Sequence, residues 1–401
     1  YSKEASVAAA YIIIPPQGSD QVDEWIRLGL EAQTSNKFAD AERHYRHALR
    51  LDPSHAIATQ NFAILYAQTG NLNEALLTIE RASLFDGGKH GVIFMNWAFM
   101  ALEADRIEDA LKAAETGVEV APCKETWLAL ASILGTAGRP SEAIVYYEKI
   151  LEVDPTHPQA APNICFVQTL TSATPADLRA KRNNWYMANA FKGEKHPHPI
   201  GRINGSVAPL RVGYVSGDFK CHSASMIFAN VVLHHNHDKV LPFFYSTLPV
   251  DQNADGMTKE FMAAAADRWR DISAKSDEEA EAQIHRDRID ILVDLAGHTN
   301  GGRLTLFTRK PAPIQVTAWG FAHGTGCPEI DYFLADKIAV PEEERKDYAE
   351  KIWDVPSVVT YRPPAYEVKG VSQLPYFVNG YFTFGSYARY EKFNDECIAA
   401  Y

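Results

Sequence analysis

Three short stretches in the second half of the sequence combine histidine with other polar residues and glycine. In the first, Asp218, Lys220 and His222 come directly before a predicted helix. They offer a carboxylate, an ammonium group and an imidazole, and the N–H groups at a helix start stabilise developing negative charge. The other two stretches contain His298 and His323. Residues of these types indicate candidate sites for a reaction in which negative charge develops.

Each of these stretches follows a predicted strand. From residue 210 onwards, short β-branched and aromatic runs alternate with helical stretches, which predicts a parallel sheet with crossover helices. The predicted strands are Arg211–Val215, Pro242–Ser246, Ile289–Leu295, Ile314–Ala318, Tyr332–Ala335 and one near Ile352–Val355. The predicted helices lie near Ser225–Leu233, Thr258–Ala265, Asp277–Arg286 and Arg303–Thr308.

Ligands of such sheets bind in loops beyond the carboxyl ends of the strands, where the fold brings the loops together. Three histidines at three strand ends therefore form a stronger candidate than any one of them alone. None of the loops matches GxxxxGKS, GxGxxG or GxSxG, so the P-loop, dinucleotide-binding and α/β-hydrolase motifs are missing.

The first part of the chain is repetitive, with a period of about 34 residues. Alanine recurs at intervals of 34, 35 and 33 residues, at Ala41, Ala75, Ala110 and Ala143. Pro53, Pro122 and Pro155 close three of the four repeats. Small residues let two helices approach closely, aromatic residues fill the gap to the next repeat, and proline stops the second helix. The pattern is that of tetratricopeptide repeats and predicts an α-solenoid.

Two asparagines occupy the same position in successive repeats. Asn61 and Asn96 hold it in the second and third repeats, while Arg27 and Ala129 hold it in the first and fourth. The position lies on the first helix of each repeat, which lines the concave face of such an array. Because an amide both donates and accepts hydrogen bonds, this pair predicts a short ladder that binds the backbone of an extended peptide.

The regions on either side of the repeats are not repetitive. The apolar run Val7–Ile14 ends at Pro15-Pro16 and is too short to span a bilayer, which takes roughly 18 residues; it is also short for a signal-peptide core. After the repeats, Thr174-Pro175 predicts the start of a helix whose basic residues form a solvated face, in preference to a site for a nucleotide diphosphate or an acidic substrate. These residues are Arg179, Lys181 and Arg182. The stretch over 195–207, rich in Pro, His and Gly, predicts a linker.

The charge balance argues against a protein that binds nucleic acid. The chain has 51 acidic and 39 basic residues, for a net charge of −12 at pH 7. Residues 21–160 alone have 20 acidic and 12 basic side chains, which favours neutral or basic partner segments.

Cysteine and histidine usage favours a cytoplasmic protein without a metal. The five cysteines are widely spaced and form no CxxC, as expected of free thiols in a reducing compartment. The run His234–His237 lacks the carboxylate or cysteine neighbours of a metal site. We expect no metal, no cofactor and no membrane association.

Three sequence runs resemble a known enzyme family when taken in order. They are LRVGYVSGDFKCHS, RIDILVDLAGHTNGGRL and RKPAPIQVTAWGFAHGTGCPEIDYFLAD, and tetratricopeptide repeats precede them. Together they closely resemble the bacterial and eukaryotic protein O-linked N-acetylglucosamine (GlcNAc) transferases. The resemblance implies a repeat solenoid that selects protein acceptors, joined to two Rossmann-like lobes of the GT-B type. It also implies transfer of GlcNAc from UDP-GlcNAc to Ser or Thr with inversion and without a metal.

The resemblance assigns roles to individual residues. His222 matches the family's active-site histidine, and Asp218 matches an aspartate that also helps to accept the hydroxyl proton. Gly320 and Phe321 match a glycine-aromatic loop beside the donor sugar. Asn61 and Asn96 match the family's asparagine ladder. Further candidate substrate-binding residues are His298, His323, Gly324 and Thr325.

The sequence also departs from the family. Residues 317–325 read TAWGFAHGT where members often have TWLGYPGT, so the choice of sugar is open. The run Tyr381–Tyr387 resembles the first strand of the second lobe, 20 residues before the last residue of the sequence. Because the family's nucleotide-binding residues belong to that second lobe, we expect the 1–401 chain alone to bind UDP poorly and to be inactive.

Two alternative functions stay open at this point: a flagellin glycosyltransferase that uses another activated sugar, and a non-catalytic tetratricopeptide scaffold. The predicted domains are an N-terminal segment (1–20), tetratricopeptide repeats (21–160), capping helices and linker (161–209), an N-terminal catalytic α/β lobe (210–364), and a linker with the start of a second lobe (365–401).

Overall fold

The computed structural model describes residues 11–16, 18, 20–195, 208–250, 254–363, 367, 370–386, 388–389, 392–393 and 395–400. The chain divides into two units, one of residues 1–160 with 388–401 and one of residues 161–387. Most of the predicted linker, at 196–207, lies outside the described residues.

The first unit is built from four helix pairs, one for each predicted repeat. They are α1 (Gln21–Thr34) with α2 (Phe38–Leu51), α3 (Ala56–Gln68) with α4 (Leu72–Asp86), α5 (Gly91–Glu103) with α6 (Ile107–Val120), and α7 (Lys124–Thr136) with α8 (Pro140–Val153). The recurring alanines Ala41, Ala75, Ala110 and Ala143 are fully buried. A Cβ on Gly29 would lie 2.5 Å from the Tyr45 ring, so glycine lets α1 and α2 pack closely. The predicted α-solenoid is confirmed.

The second unit contains a seven-stranded sheet in which every pair is parallel. Its strands are β1 (Leu210–Ser216), β2 (Val240–Ser246), β3 (Trp269–Asp271), β4 (Ile291–Asp294), β5 (Ile314–Thr317), β6 (Tyr332–Ala335) and β7 (Lys351–Asp354), in the order β3-β2-β1-β4-β5-β6-β7. The Rossmann-like lobe is therefore confirmed.

The helices of the second unit precede the sheet or connect its strands. They are α9 (Ala160–Val167), α10 (Pro175–Asn189), α11 (Ser223–Leu233), α12 (Gly256–Ala265), α13 (Asp277–Asp287), α14 (Leu304–Thr308) and α15 (Tyr376–Asn379). A last helix, α16 (Asp395–Ala400), follows. Phe219, Phe228, Phe244 and Phe261 pack together in the core beside the sheet, and none is more than 3% exposed.

The strands of the structure differ from the sequence-based predictions in two places. The edge strand β3 was not predicted, because three residues, Trp269–Asp271, are too few to show an alternating pattern. The predicted strand at Tyr381–Tyr387 is absent from the described residues 381–386. A strand requires a neighbouring strand for its backbone hydrogen bonds. The side chains of Phe382 and Phe384 are 76% and 87% exposed, as expected of a segment that packs on no sheet.

The membrane prediction has one structural test. Among the helices formed by the described residues, none has the length and apolar character needed to cross a bilayer.

Candidate active site

The order of the strands in the sheet creates a crevice between β1 and β4. The chain moves from β1 to β2 on one side, whereas β4 pairs with the other side of β1. Loops at the carboxyl ends of strands that diverge in this way form the usual ligand site of an open parallel sheet. The loops that follow β1 and β4 contain Asp218, His222 and His298.

Glycines bring these loops into contact. A Cβ on Gly217, after β1, would lie 3.1 Å from the Cα of Gly301, after β4. Thr247, after β2, donates a hydrogen bond from Oγ1 to the Gly301 carbonyl at 2.6 Å. The loops after β1, β2 and β4 thus contact one another, and larger residues at positions 217 and 301 would push them apart.

Asp218 and His222 form a pair at this edge of the sheet. His222 Nδ1 lies 3.4 Å from Asp218 Oδ2, and the aspartate side chain is 10% exposed against 47% for the imidazole. A hydrogen bond fixes the backbone of Asp218, whose N–H donates to Ser216 Oγ at 2.9 Å. His222 is the N-cap of α11, and a capping box with Ser225 fixes its backbone. The backbones of both residues are therefore fixed, and the imidazole is still accessible.

Nδ1 of His222 has two alternative hydrogen-bond partners. The Ala224 N–H lies 3.3 Å from Nδ1 and donates to it when that nitrogen is unprotonated. When Nδ1 carries a proton it donates to Asp218 instead, and Nε2 then has a free lone pair. Burial raises the pKa of the Asp218 carboxyl, and the charges of His222 and Lys220 oppose this shift. The two contacts thus require opposite protonation states of Nδ1, and only the contact with Asp218 leaves the lone pair on Nε2.

The loop after β5 packs on the loop after β4. A Cβ on Gly320 would lie 1.7 Å from the Leu295 carbonyl oxygen, and a Cβ on Gly297, at φ +57°, would lie 2.5 Å from Phe321 Cβ. Trp319 adopts the left-handed region at φ 58°, which bulky residues rarely occupy. Its indole donates to the Val358 carbonyl at 3.0 Å. Strained backbone of this kind costs about 1–3 kcal/mol and is common at functional sites.

His298 lies inside the unit and holds the Thr325 loop. The imidazole is 1% exposed and donates from Nε2 to the Thr325 carbonyl at 2.7 Å. Its Nδ1 is buried without a hydrogen-bond partner among the described residues. Burial lowers the pKa of His298 to about 4, so the ring is neutral at pH 7. His298 and His323 both pack against Phe321, with ring centroids 5.6 and 5.7 Å away.

A buried carboxylate fixes the other side of the Thr325 loop. Glu350 Oε1 accepts hydrogen bonds from the Thr325 N–H, at 2.7 Å, and from the Thr325 hydroxyl. Gly324 leaves room for it, since a Cβ there would lie 2.8 Å from Glu350 Oε2. Burial raises the pKa of Glu350. Thr325 is thus hydrogen-bonded from two sides, by His298 and by Glu350.

In the first unit, the predicted asparagine pair binds extended backbone. Asn61 and Asn96 are fully buried. Each accepts a hydrogen bond from one residue's N–H and donates to the same residue's carbonyl, Ile14 for Asn61 and Ile12 for Asn96. The two side chains therefore do act on one extended segment.

The histidine run His234–His237 is tied to the fold. Tyr214 Oη lies 2.6 Å from His235 Nε2, and burial lowers the pKa of His235. His234 Nδ1 lies 3.0 Å from the Asn230 carbonyl. No group of three or more His, Cys, Asp or Glu side chains within the described part of the chain has the arrangement of a metal site.

Comparison with known proteins identifies the family of this domain. The family model for glycosyl transferase family 41 matches residues 152–360, just over half of the chain. The chain belongs to glycosyl transferase family 41. Tetratricopeptide repeat models match residues 32–89 and 124–165. The resemblance drawn from the sequence motifs is thereby confirmed.

Curated relatives of this family 41 chain are named as probable UDP-N-acetylglucosamine–peptide N-acetylglucosaminyltransferases. SPINDLY of Oryza sativa subsp. japonica is 30% identical over 258 residues, which are 63% of this chain and 27% of the relative. SEC of Arabidopsis thaliana is 34% identical over 173 residues, 42% of this chain and 17% of the relative. The chain thus spans about a quarter or less of the length of these two relatives.

A solved family structure shares the fold. An O-GlcNAc transferase mutant from Thermobaculum terrenum superposes with a TM-score of 0.61 at 24% identity, over 90% of this chain and 60% of that chain. The likeness shows the fold, a solenoid followed by a Rossmann-like lobe.

One buried arginine of the family 41 domain was not predicted from the sequence. Arg182 was predicted on a solvated face, but it is 4% exposed and donates to the Asp347 carbonyl at 3.1 Å. The positive charge of Arg182 interacts with the carboxyl group of Glu350. A Cβ on Gly326 would lie 2.7 Å from Arg182 Cβ. The helix α10 therefore packs directly on the Gly324–Gly326 loop. Only the tertiary contact distinguishes Arg182 from its solvated neighbours, although its spacing from Leu178 and Trp185 matches one helix face.

Proposed function

We propose that this chain carries the acceptor-selecting repeats and the N-terminal catalytic lobe of a protein O-glycosyltransferase. The enzyme transfers GlcNAc from UDP-GlcNAc to the hydroxyl of Ser or Thr in a protein acceptor, with inversion at the anomeric carbon. The observation that carries the proposal is the Asp218–His222 pair at the crevice between β1 and β4. The names of the curated relatives support the donor and the acceptor class.

In the proposed reaction, His222 is the general base. The acceptor hydroxyl attacks the anomeric carbon in one displacement, its proton passes to His222 Nε2, and the bond to the UDP oxygen breaks. A single displacement inverts the configuration at that carbon. His222 suits the role better than Asp218 because its side chain is far more accessible. Asp218 is a positioning residue, which holds a proton on Nδ1 and leaves Nε2 free.

The loops after β4 and β5 form the proposed donor side. Gly320 and Phe321 lie where loop contacts leave no room for larger side chains at position 320. His298 and Glu350 hold Thr325 from two sides, and His323 packs on Phe321. We propose that Gly320, Phe321 and His323 to Thr325 bind the donor sugar, and that His298 acts through Thr325.

The proposed partners are a protein acceptor and a UDP-sugar. The repeats offer Asn61 and Asn96 to an acceptor backbone. Cytoplasmic placement is supported by the cysteines, which form no disulfide among the described residues.

The test is glycosyl transfer by the full-length gene product that contains residues 1–401. A panel of nucleotide sugars is offered together with a peptide library, and the product anomer is read by NMR. We expect UDP-GlcNAc to be used with inversion, and His222→Ala to lose transfer while acceptor binding is unchanged. Preferred use of another nucleotide sugar would replace the proposed donor. No transfer by the wild type with any donor would favour the scaffold function.

A further inference from the structure

The asparagine pair of the first unit already has an occupant. Residues 11–14 lie along α3 and α5, and hydrogen bonds join Ile12 to Asn96 and Ile14 to Asn61. Tyr11 adds a hydrogen bond from its hydroxyl to Glu103 Oε2 at 2.5 Å. These contacts span 47 to 92 residues of sequence, so they are tertiary contacts.

The geometry of these contacts is that of peptide recognition through the backbone. Asn96 Oδ1 accepts from the Ile12 N–H at 2.9 Å, and Asn96 Nδ2 donates to the Ile12 carbonyl at 2.8 Å. Asn61 repeats the arrangement with Ile14, at 3.4 and 2.9 Å. Alternate residues of an extended chain face the same side, which is why residues 12 and 14 both reach the ladder. The segment runs from the third repeat to the second.

Neighbouring side chains strengthen the grip on this segment. Gln60 is fully buried, and its Nε2 lies 3.4 Å from the Ile12 carbonyl and 3.2 Å from Asn61 Oδ1. The segment gives the buried amides of Asn61 and Asn96 their hydrogen-bond partners, and leaving such an amide buried and unpaired costs about 1–3 kcal/mol. Gln60 Oε1 has no partner among the described residues. The asparagine pair therefore matches the donors and acceptors of an extended backbone.

The sequence of the segment favours the bound conformation. Ile14 precedes Pro15, which restricts it to extended backbone, and Pro15 precedes Pro16 with the same effect. The β-branched Ile12 and Ile13 also favour extended structure. A segment that is already extended loses less conformational entropy when it binds.

We propose that residues 11–16 are a built-in ligand of the concave face and that a protein acceptor must displace them in order to bind there. The proposal rests on the proposed function in one respect, namely that acceptors use this face. The face then selects neutral, extended segments with a tyrosine followed by β-branched residues and proline. Because only a few residues separate Pro16 from the start of α1 at Gln21, the tether holds the ligand at a millimolar effective concentration.

Hydrogen exchange of the full chain tests the occupancy directly. Mass spectrometry follows the amides of residues 11–14 in the wild type, in Asn61→Ala/Asn96→Ala and in the surface control Asn73→Ala. We expect at least roughly tenfold faster exchange in the double variant and wild-type exchange in the control. Equal exchange in all three proteins would overturn the proposal.

Peptide binding tests the displacement. A fluorescein-labelled peptide of residues 11–18 is titrated into the wild type and into Ile12→Pro/Ile14→Pro, which lacks the two N–H donors. We expect binding to the variant to be at least about tenfold tighter, because its own segment no longer competes. The control Ile13→Pro removes an N–H that contacts neither asparagine and should bind the peptide as weakly as the wild type.

Three outcomes decide the peptide experiment. Equal affinity for the wild type and Ile12→Pro/Ile14→Pro overturns the proposal, and so does binding that persists after Asn61→Ala/Asn96→Ala is added. A wild-type dimer that Ile12→Pro/Ile14→Pro dissociates also overturns it, since the segment would then bind a second copy. None of these readouts requires sugar transfer, so failure of the proposed enzyme activity leaves them intact.

Discussion

At the residue scale, the proposed chemistry depends on where one proton lies on His222. Nδ1 lies 3.4 Å from the Asp218 carboxylate and 3.3 Å from the Ala224 N–H. The carboxylate requires a proton on Nδ1, whereas the amide requires a lone pair there. The balance between these two contacts decides whether Nε2 accepts a proton from an acceptor hydroxyl.

Asp218→Asn tests this balance in the full-length gene product. The asparagine amide donates to Nδ1, which moves the imidazole proton to Nε2 and removes the base. We expect kcat to fall by about 10²- to 10⁴-fold, with KM for the acceptor peptide nearly unchanged. Asp267→Asn is the matched control, since that side chain is 89% exposed. Wild-type kcat in Asp218→Asn would show that Asp218 does not position the base.

His298 makes a second prediction, which concerns stability and pH. Its pKa is lowered to about 4 by burial, from a usual value of 6.5. A lowered pKa in the folded chain gives stability that is present above pH 6.5 and lost as the pH falls towards 4. The shift corresponds to roughly 3 kcal/mol. His298→Gln retains a donor for the Thr325 carbonyl but does not titrate.

Urea unfolding between pH 7 and pH 4 measures this effect. We expect the free energy of unfolding of the wild type to fall by roughly 3 kcal/mol more than that of His298→Gln over this range. Identical pH profiles of the two proteins would contradict a lowered pKa of His298 in the folded chain.

At the scale of elements, the long and periodic segments were predictable and the contacts between them were not. The period of the repeats was visible in the spacing of the alanines from Ala41 to Ala143. The sheet was visible in short β-branched and aromatic runs such as those of β1 and β2. Strand β3 is too short to show a pattern. Arg182 and Glu350 interact across 168 residues of sequence, and local pattern does not encode such a contact. The site's loops were predicted individually, whereas their packing through Gly217, Gly297 and Gly320 required the structure.

The contact between the loops after β4 and β5 gives the third prediction. A Cβ on Gly320 would lie 1.7 Å from the Leu295 carbonyl oxygen, which belongs to the backbone and has little freedom to move. We expect Gly320→Ala to lower the free energy of unfolding by more than about 2 kcal/mol. Gly256→Ala is the matched control, since a Cβ there has no neighbour within 4 Å. Equal unfolding midpoints for the two variants in urea would contradict the tight packing of these loops.

At the scale of the whole molecule, charge is unevenly distributed. The chain has a net charge of −12, and residues 21–160 account for 20 acidic against 12 basic side chains. The built-in segment Tyr11–Pro16 has no charged side chain. Hydrogen bonds therefore account for its binding, while the net negative charge of the repeats acts on any charged residues that flank a bound peptide.

The net charge of the repeats gives the last prediction, measured on Ile12→Pro/Ile14→Pro. Labelled peptides of residues 11–18 are extended by either three lysines or three glutamates. We expect the negative repeats to attract the first peptide and to repel the second, and salt screens both effects because the Debye length falls from about 10 Å at 0.1 M to about 4–5 Å at 0.5 M. We expect the lysine peptide to bind several-fold more weakly at 0.5 M salt than at 0.05 M, the glutamate peptide more tightly, and the unextended peptide with little change. Equal salt dependence of all three would show that acceptor choice at this face does not depend on the charge of the repeats.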